Sequence, residues 1–333
     1  MARQGQVTLD DVAASAGVSR ATASRALTGS GPASAAVQAR VRAAAEHLGF
    51  TPNQAARALA SNKAHAVALV IPEPNTIILG DPFLQGMIIG VSEAFHPTDY
   101  QVILLMVRPD DPPGKVLRLL HRSFVDGAIV VSHHRTGVER LSGVGVPLVF
   151  VGRPWWMHAE VMYVDVANRA GGALAARRFL DRGASRFACI AGPEDMTPVR
   201  DRTAGWRETL VGAGYDPGPV EHAPFTHAGG AESAARLVGY GADAVFVQSD
   251  LMAVGALRAF TEAGVRVGTD MLMIGVDDSE FARSTSPRLT SVTNPAADLS
   301  LRAARMLLGV LDFGRCPVTP EIIQPELVVR ESA

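Results

Sequence analysis

The chain has 333 residues, 47% of them hydrophobic, and a formal net charge of −2. That length provides for one small and two larger cores, and the two cysteines, Cys189 and Cys316, far apart in sequence, suggest neither a disulfide framework nor a metal site. A run of about 18 apolar residues is absent and the polar N-terminal stretch does not read as a signal peptide, so no membrane span is expected and a cytoplasmic location is.

The chain opens with VTLDDVAASAGVSRATASRAL. Thr8 is placed to cap a helix whose Leu9, Val12, Ala13 and Ala16 share one apolar face. Gly17 ends it, and Ser19 is placed to cap a second helix, Arg20 to Leu27, with Ala23, Ala26 and Leu27 inward. Arg20, Ala21, Ser24 and Arg25 are left facing outward. Such a helix after a tight glycine turn suits a major groove, where Arg20 and Arg25 can fork onto guanine and Ala21 can meet a thymine methyl. A third helix, about Ser34 to Leu48, turns Val37, Val41, Ala45 and Leu48 inward.

Charge agrees with this division. Residues 1–65 carry seven basic residues, from Arg3 to Lys63, against Asp10, Asp11 and Glu46, a net of +4 that leaves −6 for the remainder. A basic head on an acidic body suits phosphate contact by the head. Pro52-Asn53 then starts QAARALAS, about two helical turns that are marginal unless packed on a two-fold mate or on DNA. Leu59, its one large apolar side chain, is a candidate minor-groove wedge; packing on its own domain is the alternative.

From Ala66 onward short apolar runs (VALVI, VILLMV, GAIVV, PLVFV, RFACIA, AVFV, MLMIGV) alternate with helical stretches. This predicts βαβ units with parallel sheets covered on both faces. Two consecutive sets, roughly 66–151 and 164–276, predict two similar lobes, with LTSVTNP and EIIQPELVV crossing back between them. A ligand is expected between the carboxyl ends of the strands. Phe83, Trp155, Trp156 and Phe225 are candidates to stack on a flat ligand face. His133-His134 and His222 with His227 lack a third ligand at metal spacing, and His133 is expected near the pocket mouth.

These residues carry a resemblance to the LacI/GalR family of transcription regulators over nearly the whole length. The family's V-T-L-x-D-V-A-x-x-A-G-V-S-x-A-T-x-S-R is matched by Val7 through Arg25, and L-G-[YF]-x-P-N-x-x-A-R-x-L by Leu48 through Leu59. VDGAIVV, GVPLVFVGR, VDVANRAGGALAARRFL, FACIAGP, DRTAGW, IGVDDSEFA and PRLTSVTNP are further landmarks. The resemblance implies an all-α helix-turn-helix head and an α/β two-lobe, periplasmic-binding-protein-like body with parallel sheets. The division it implies is a DNA-binding domain over 1–49, a hinge over 50–65 and an effector-binding and dimerisation body over 66–333.

Position by position, the resemblance puts Arg20, Ala21 and Arg25 where bases are read, and Thr8, Ser19, Thr22 and Ser24 near phosphates. Asn53 and Ala56 fall where the hinge meets DNA, and Leu59 is the paired minor-groove lever. In the body, Arg202 matches an arginine that bonds effector hydroxyls or carboxylates, and Asp277 a carboxylate that accepts from hydroxyls, a pairing suited to a sugar or polyol. Phe83, His133, Trp155, Phe225 and Ser249 complete the candidate effector site. There are departures. Val37-Gln38 stands where the family has Thr-Arg and Gly31-Pro32 interrupts the preceding loop, which costs phosphate contacts. Ser249-Asp250 replaces Asn-Asp, and Ala167-Asn168 replaces Asp-Asn, although Asp165 lies two residues earlier.

The expectation is therefore a homodimeric, ligand-responsive repressor on a pseudo-palindromic operator, without cofactor or metal. A transport-type solute-binding protein would share the body but needs an export signal and lacks the head. An enzyme is not expected, since no G-x-G-x-x-G after a strand, no P-loop and no G-x-S-x-G elbow is present. The final ELVVRESA has no heptad tail to join dimers into a tetramer.

Overall fold

The computed structural model describes residues 7–28, 33–50, 63–108, 111, 114–121, 124–135, 141, 144–155, 161–314 and 319–333. Gly31, Pro32, Asn53, Ala56, Leu59, Trp156 and Cys316 lie outside the described residues, and with them the hinge reading. Met1–Ala64 and His65–Ala333 are two separate compact units.

In the first unit α1 spans Leu9–Ser15, α2 Arg20–Thr28 and α3 Ala35–His47. Thr8 closes a reciprocal cap: the Asp11 amide donates to Thr8 Oγ1 (3.4 Å), while the Thr8 amide donates to Asp11 Oδ2 (2.8 Å). Gly17 turns the chain at φ +63°, a left-handed conformation that a Cβ would strain. Ser19 Oγ then accepts from the Thr22 amide at 3.2 Å and starts α2. Val12, Ala13, Ala16, Ala23, Ala26, Val41, Ala44 and Ala45 are buried, with Leu27, Val37 and Leu48 packed on them. So many alanines let three short helices approach closely around a small core. Val37 has a packing role here, and Gln38 Nε2 donates to the Ala33 carbonyl (3.2 Å), so both positions that depart from Thr-Arg serve the start of α3.

In the second unit a six-stranded sheet has the order β11-β5-β4-β3-β1-β2. Its strands are β1 (Ala66–Ile71), β2 (Gln101–Met106), β3 (Gly127–Val130), β4 (Leu148–Val151), β5 (Met162–Val166) and β11 (Glu321–Ile323). The other sheet has the order β12-β10-β9-β8-β6-β7, with β6 (Phe187–Ala191), β7 (Val220–His222), β8 (Ala244–Val247), β9 (Leu272–Asp277), β10 (Thr290–Thr293) and β12 (Leu327–Val328). All pairings are parallel except β10 with β12.

The chain passes between lobes after β5, after β10 and between β11 and β12. Two expectations are corrected here. The second lobe does not begin at residue 164: Met162–Val166 pairs with β4 and completes the first sheet, and the passage comes at Ala167. Its run is fully buried, which masks the boundary because a crossing strand and a core strand read alike. Nor are both faces of every strand covered. The edge strand β2 exposes Ile103 and Leu104 at 44% and 41%.

The helices of this unit are α4 (Asn75–Gly80), α5 (Pro82–Phe95), α6 (Lys115–Leu119), α7 (Asn168–Asp181), α8 (Thr197–Gly212), α9 (His227–Val238), α10 (Asp250–Glu262), α11 (Glu280–Ser284) and α12 (Ala296–Phe313). Helix α12 follows the second lobe in sequence yet returns to the first, where Leu299, Ala303 and Leu307 join the core of Val67, Leu69, Ile129 and Val149. One contact positions the site. Helices α7 and α8 touch backbone to backbone at Gly172 and Gly205, where an added Cβ would lie 1.9 Å from the Arg202 carbonyl and 1.8 Å from the Arg169 carbonyl. No side-chain rotation relieves such a clash, so the approach requires glycine at both places.

Candidate functional site

The carboxyl ends of the two sheets face each other across a cavity of about 80 Å³. At roughly 10–15 Å³ for each water it holds several waters. Phe83, His133, Arg202, Phe225, Ser249 and Asp277 line it together. Trp155 is not among the lining residues: its ring takes the Arg135 and Arg200 guanidiniums at 5.3 and 4.7 Å from its centroid. The sequence reading missed Asp81, Asn294 and Gln248, which also line the cavity. Each immediately follows or precedes a strand or helix end, and only the tertiary fold shows which ends converge.

Arg202 anchors the second-lobe wall. The α7–α8 contact brings its Nε to donate to Asn168 Oδ1 (2.8 Å) and its Nη1 to the Gln248 carbonyl (3.1 Å). Its own burial pulls its pKa down, opposed by the charges of Asp277 and Asp165. Asp165 lies two residues before Ala167 and faces Arg202 across the start of α7. It accepts from the Asn168 side chain (2.9 Å) and the Val166 amide (2.8 Å) through Oδ1, and from the Arg153 amide (2.9 Å) through Oδ2. Burial still lifts it to about 6.

Asp277 ends β9 at φ 111°, a region that Asp and Asn tolerate better than most residues. Its Oδ1 accepts from Asn294 Nδ2 at 2.9 Å. Burial, then the neighbouring Asp250 charge, raises its pKa well above the ordinary carboxylate range, with Arg202 acting against both. From the first lobe, Asp81 caps α5 by accepting from the Phe83 amide (2.9 Å), and burial lifts it to about 6. Ser249 forms no side-chain cap on α10. Its neighbour Asp250 is instead held by Ser279 and Ser291, at 2.8 to 2.9 Å.

His133 is not at a mouth but in the wall. It is 4% exposed, and its Nε2 donates to the Gly152 carbonyl at 3.1 Å, which can only accept. Burial pushes it down to about 4, so it is neutral at pH 7. The cavity therefore sets three buried carboxyl groups against one guanidinium, between Phe83 from one lobe and Phe225 from the other. Such a wall accepts hydrogen bonds more than it donates them. It suits hydroxyl groups and opposes anions.

In the head, Arg20, Ala21 and Arg25 are exposed on α2, with Thr22 and Ser24 half-buried beside them. Thr8 and Ser19 are exposed and engaged in the two caps. An ion pair of Arg20 with Asp10 spans 3.4 Å with both side chains more than half exposed, so it restrains Arg20 little. The three exposed side chains thus share one helix, capped by Ser19. Among the described residues no group of histidines, cysteines and carboxylates is placed to hold a metal ion, and no helix is long and apolar enough to cross a membrane.

Residues 8–53 match the family described as bacterial regulatory proteins, lacI family, and residues 176–333 match the periplasmic binding protein-like domain. The HTH-type transcriptional regulator CelR of Thermobifida fusca is 37% identical over 339 residues, covering 100% of both chains. A solved transcriptional regulator CelR–cellobiose complex superposes with a TM-score of 0.77 at 35% identity, covering 98% of this chain and 100% of that one. The lac repressor dimer bound to operator and the anti-inducer ONPF superposes at 0.84 with 24% identity, over 98% and 99% of the chains, a likeness of fold.

Proposed function

The chain belongs to the lacI family of bacterial regulatory proteins, as a ligand-responsive DNA-binding repressor and not a transport-type solute-binding protein, and on that premise we propose that its effector is a neutral sugar. The observation that carries this reading is the cavity itself: Asp81, Asp165 and Asp277 around Arg202, with one phenylalanine from each lobe. Carboxylates accept from ring hydroxyls, the arginine donates to a ring or hydroxyl oxygen, and the aromatic faces take the apolar faces of the sugar. A phosphorylated sugar would bring its charge against Asp81 and Asp165, both ionised at neutral pH. Cellobiose is the first candidate, since it is the ligand of the similar CelR complex.

The family is one of regulators, and the cavity is used here for binding without chemistry. Arg20, Ala21 and Arg25 read bases, Thr8, Ser19, Thr22 and Ser24 approach phosphates, Asn53 and Ala56 of the hinge meet DNA, and Leu59 enters the minor groove. The operator is pseudo-palindromic and the repressor a homodimer. The apolar edge strand β2, with Val102, Ile103, Leu104 and Met106 exposed, supports a second copy as the cover of this lobe. Effector binding shifts the lobes between two arrangements, one of which lets the paired hinges fold on DNA.

The test is a thermal titration of the full chain with cellobiose, glucose, a sugar phosphate and a nucleoside. A ligand at a hundred times its Kd adds about 2.7 kcal/mol, which raises the midpoint by several degrees. A shift with a neutral sugar and none with the phosphate is expected. A shift with the phosphate or nucleoside alone would overturn the reading.

A further inference from the structure

Outside the effector cavity the two lobes are joined by a second set of contacts. His134, on the segment after β3, lies between two carboxylates from different lobes. Its Nε2 is 3.2 Å from Glu73 Oε1, which follows β1 in the first lobe, and its Nδ1 is 2.8 Å from Asp195 Oδ1, which precedes α8 in the second. A carboxylate accepts, so both ring nitrogens must carry hydrogen, and the ring is then the imidazolium cation. Ser132 Oγ donates to the same Glu73 oxygen at 2.7 Å and fixes it from the first-lobe side. The Arg135 amide also crosses the lobes, donating to the Asp195 carbonyl at 3.0 Å.

Two further pairs join the same loops. Arg153, two residues past β4, donates to Asp201 Oδ2 of α8 at 2.6 Å, and Thr197 Oγ1 donates to the Arg153 carbonyl. The Trp155 ring of the first lobe meets Arg135 of its own lobe and Arg200 of the other. We propose that these residues form an interlobe clasp pinned by charged His134, which holds the two lobes together before any ligand binds and sets how readily the cavity opens. None of His134, Asp195, Glu73 or Trp155 lines the cavity. The clasp therefore acts on the population of the closed arrangement and not through contact with the effector. It stands whether or not the cavity takes a sugar.

The charged groups around the pin give the clasp a pH signature. Facing His134 are Glu73 from the end of β1 and Asp195 from the loop before α8; on its own segment are His133, neutral in the wall, and Arg135. Asp81 at the start of α5 lies beyond Glu73. The hydrogen bond that His134 donates to Glu73, aided by Asp195 against the cost of burial, raises His134 to about 9. A histidine raised in this way contributes its full share below its unfolded value of 6.5 and loses it as pH climbs through about 9. The clasp is thus closed at neutral pH and loosens in mild alkali.

The experiment is hydrogen exchange at the Arg135 amide in the full, ligand-free chain, divided by the chemical exchange rate at each pH. That amide reports lobe opening, because its acceptor is a backbone carbonyl that survives side-chain substitution. In Asp195→Asn, which keeps the shape and removes the interlobe charge, opening is expected to rise about tenfold at pH 7. The wild-type chain is expected to open more at pH 9.5 than at pH 7, and the variant to show little of that change. Equal protection of the two chains at pH 7 overturns the proposal. If the variant fails to fold, the wild-type profile decides alone: a corrected opening that does not rise between pH 7 and 9.5 overturns it as well.

Discussion

Replacing Asp277 by Asn separates binding from stability in one substitution. The side chains are nearly isosteric, and Asn tolerates the φ of 111° that position 277 requires. In the wild-type chain Asn294 Nδ2 already donates to Asp277 Oδ1, so the other carboxyl oxygen is the one left for an effector. In the variant that second position becomes an amide nitrogen, a donor where a hydroxyl needs an acceptor. A buried hydroxyl donor left without its acceptor costs about 1–3 kcal/mol, which makes effector binding about 5- to 150-fold weaker.

Stability moves the other way. Asp277 is raised well above the ordinary range because burial and Asp250 together outweigh Arg202. A carboxyl with a raised folded pKa destabilises the fold once pH passes its unfolded value of 3.8, and this cost grows until the folded group ionises. The neutral amide carries no such cost. Removing that cost raises the midpoint, by about 2–4 °C in Tm for each kcal/mol regained in a domain approaching this size. Calorimetric titration with cellobiose and thermal melts from pH 4 to pH 8 measure both effects. Weaker binding should accompany a Tm gain that is near zero at pH 4 and widens toward pH 8. A variant that binds as tightly as wild type removes Asp277 from the effector contact, and one that melts lower at pH 8 refutes the electrostatic argument.

Arg202→Ala should abolish the effector response and also weaken the fold by at least about 1–3 kcal/mol, because Asn168 and the Gln248 carbonyl lose their buried donor and Asp165 loses a nearby positive charge. That loss should shrink as pH falls from 8 toward 5.5, where Asp165 takes up a proton, and urea midpoints at the two pH values check it. Gly205→Ala forces a Cβ to within 1.8 Å of the Arg169 carbonyl and should cost at least about 1–3 kcal/mol in a melt, with effector affinity lost as Arg202 moves off Asn168. Ile103→Glu places a charge on the exposed edge strand, and sedimentation is expected to show a dimer for the wild-type chain and a monomer for the variant; an unchanged dimer moves the interface elsewhere. Leu59→Ala should weaken operator binding by roughly a few kcal/mol if the leucine unstacks a base step, and unchanged affinity in a titration ends the wedge reading.

Local chemistry was legible in the chain because it depends on neighbours in sequence. Thr8, Gly17 and Ser19 announce two helix boundaries, since a cap or a left-handed turn involves residues only a few positions apart. The alternation of apolar runs and helices likewise announced two parallel-sheet lobes, and the ordered motifs of the head announced the family. Arg202 and Asp277 were placed by that resemblance, and nothing in their immediate neighbours distinguishes them from other exposed-looking polar residues.

What only the tertiary structure decided is which distant polar groups share a wall and what burial does to them. Asp81 and Asp277 are almost two hundred positions apart, yet both line the cavity, and their raised pKa values come mainly from desolvation, a property of the assembled lobes and not of the sequence near either. His133 and His134 make the point most sharply. Two adjacent histidines of identical chemistry end up neutral and charged, because one ring is buried against a carbonyl and the other is set between two carboxylates from different lobes.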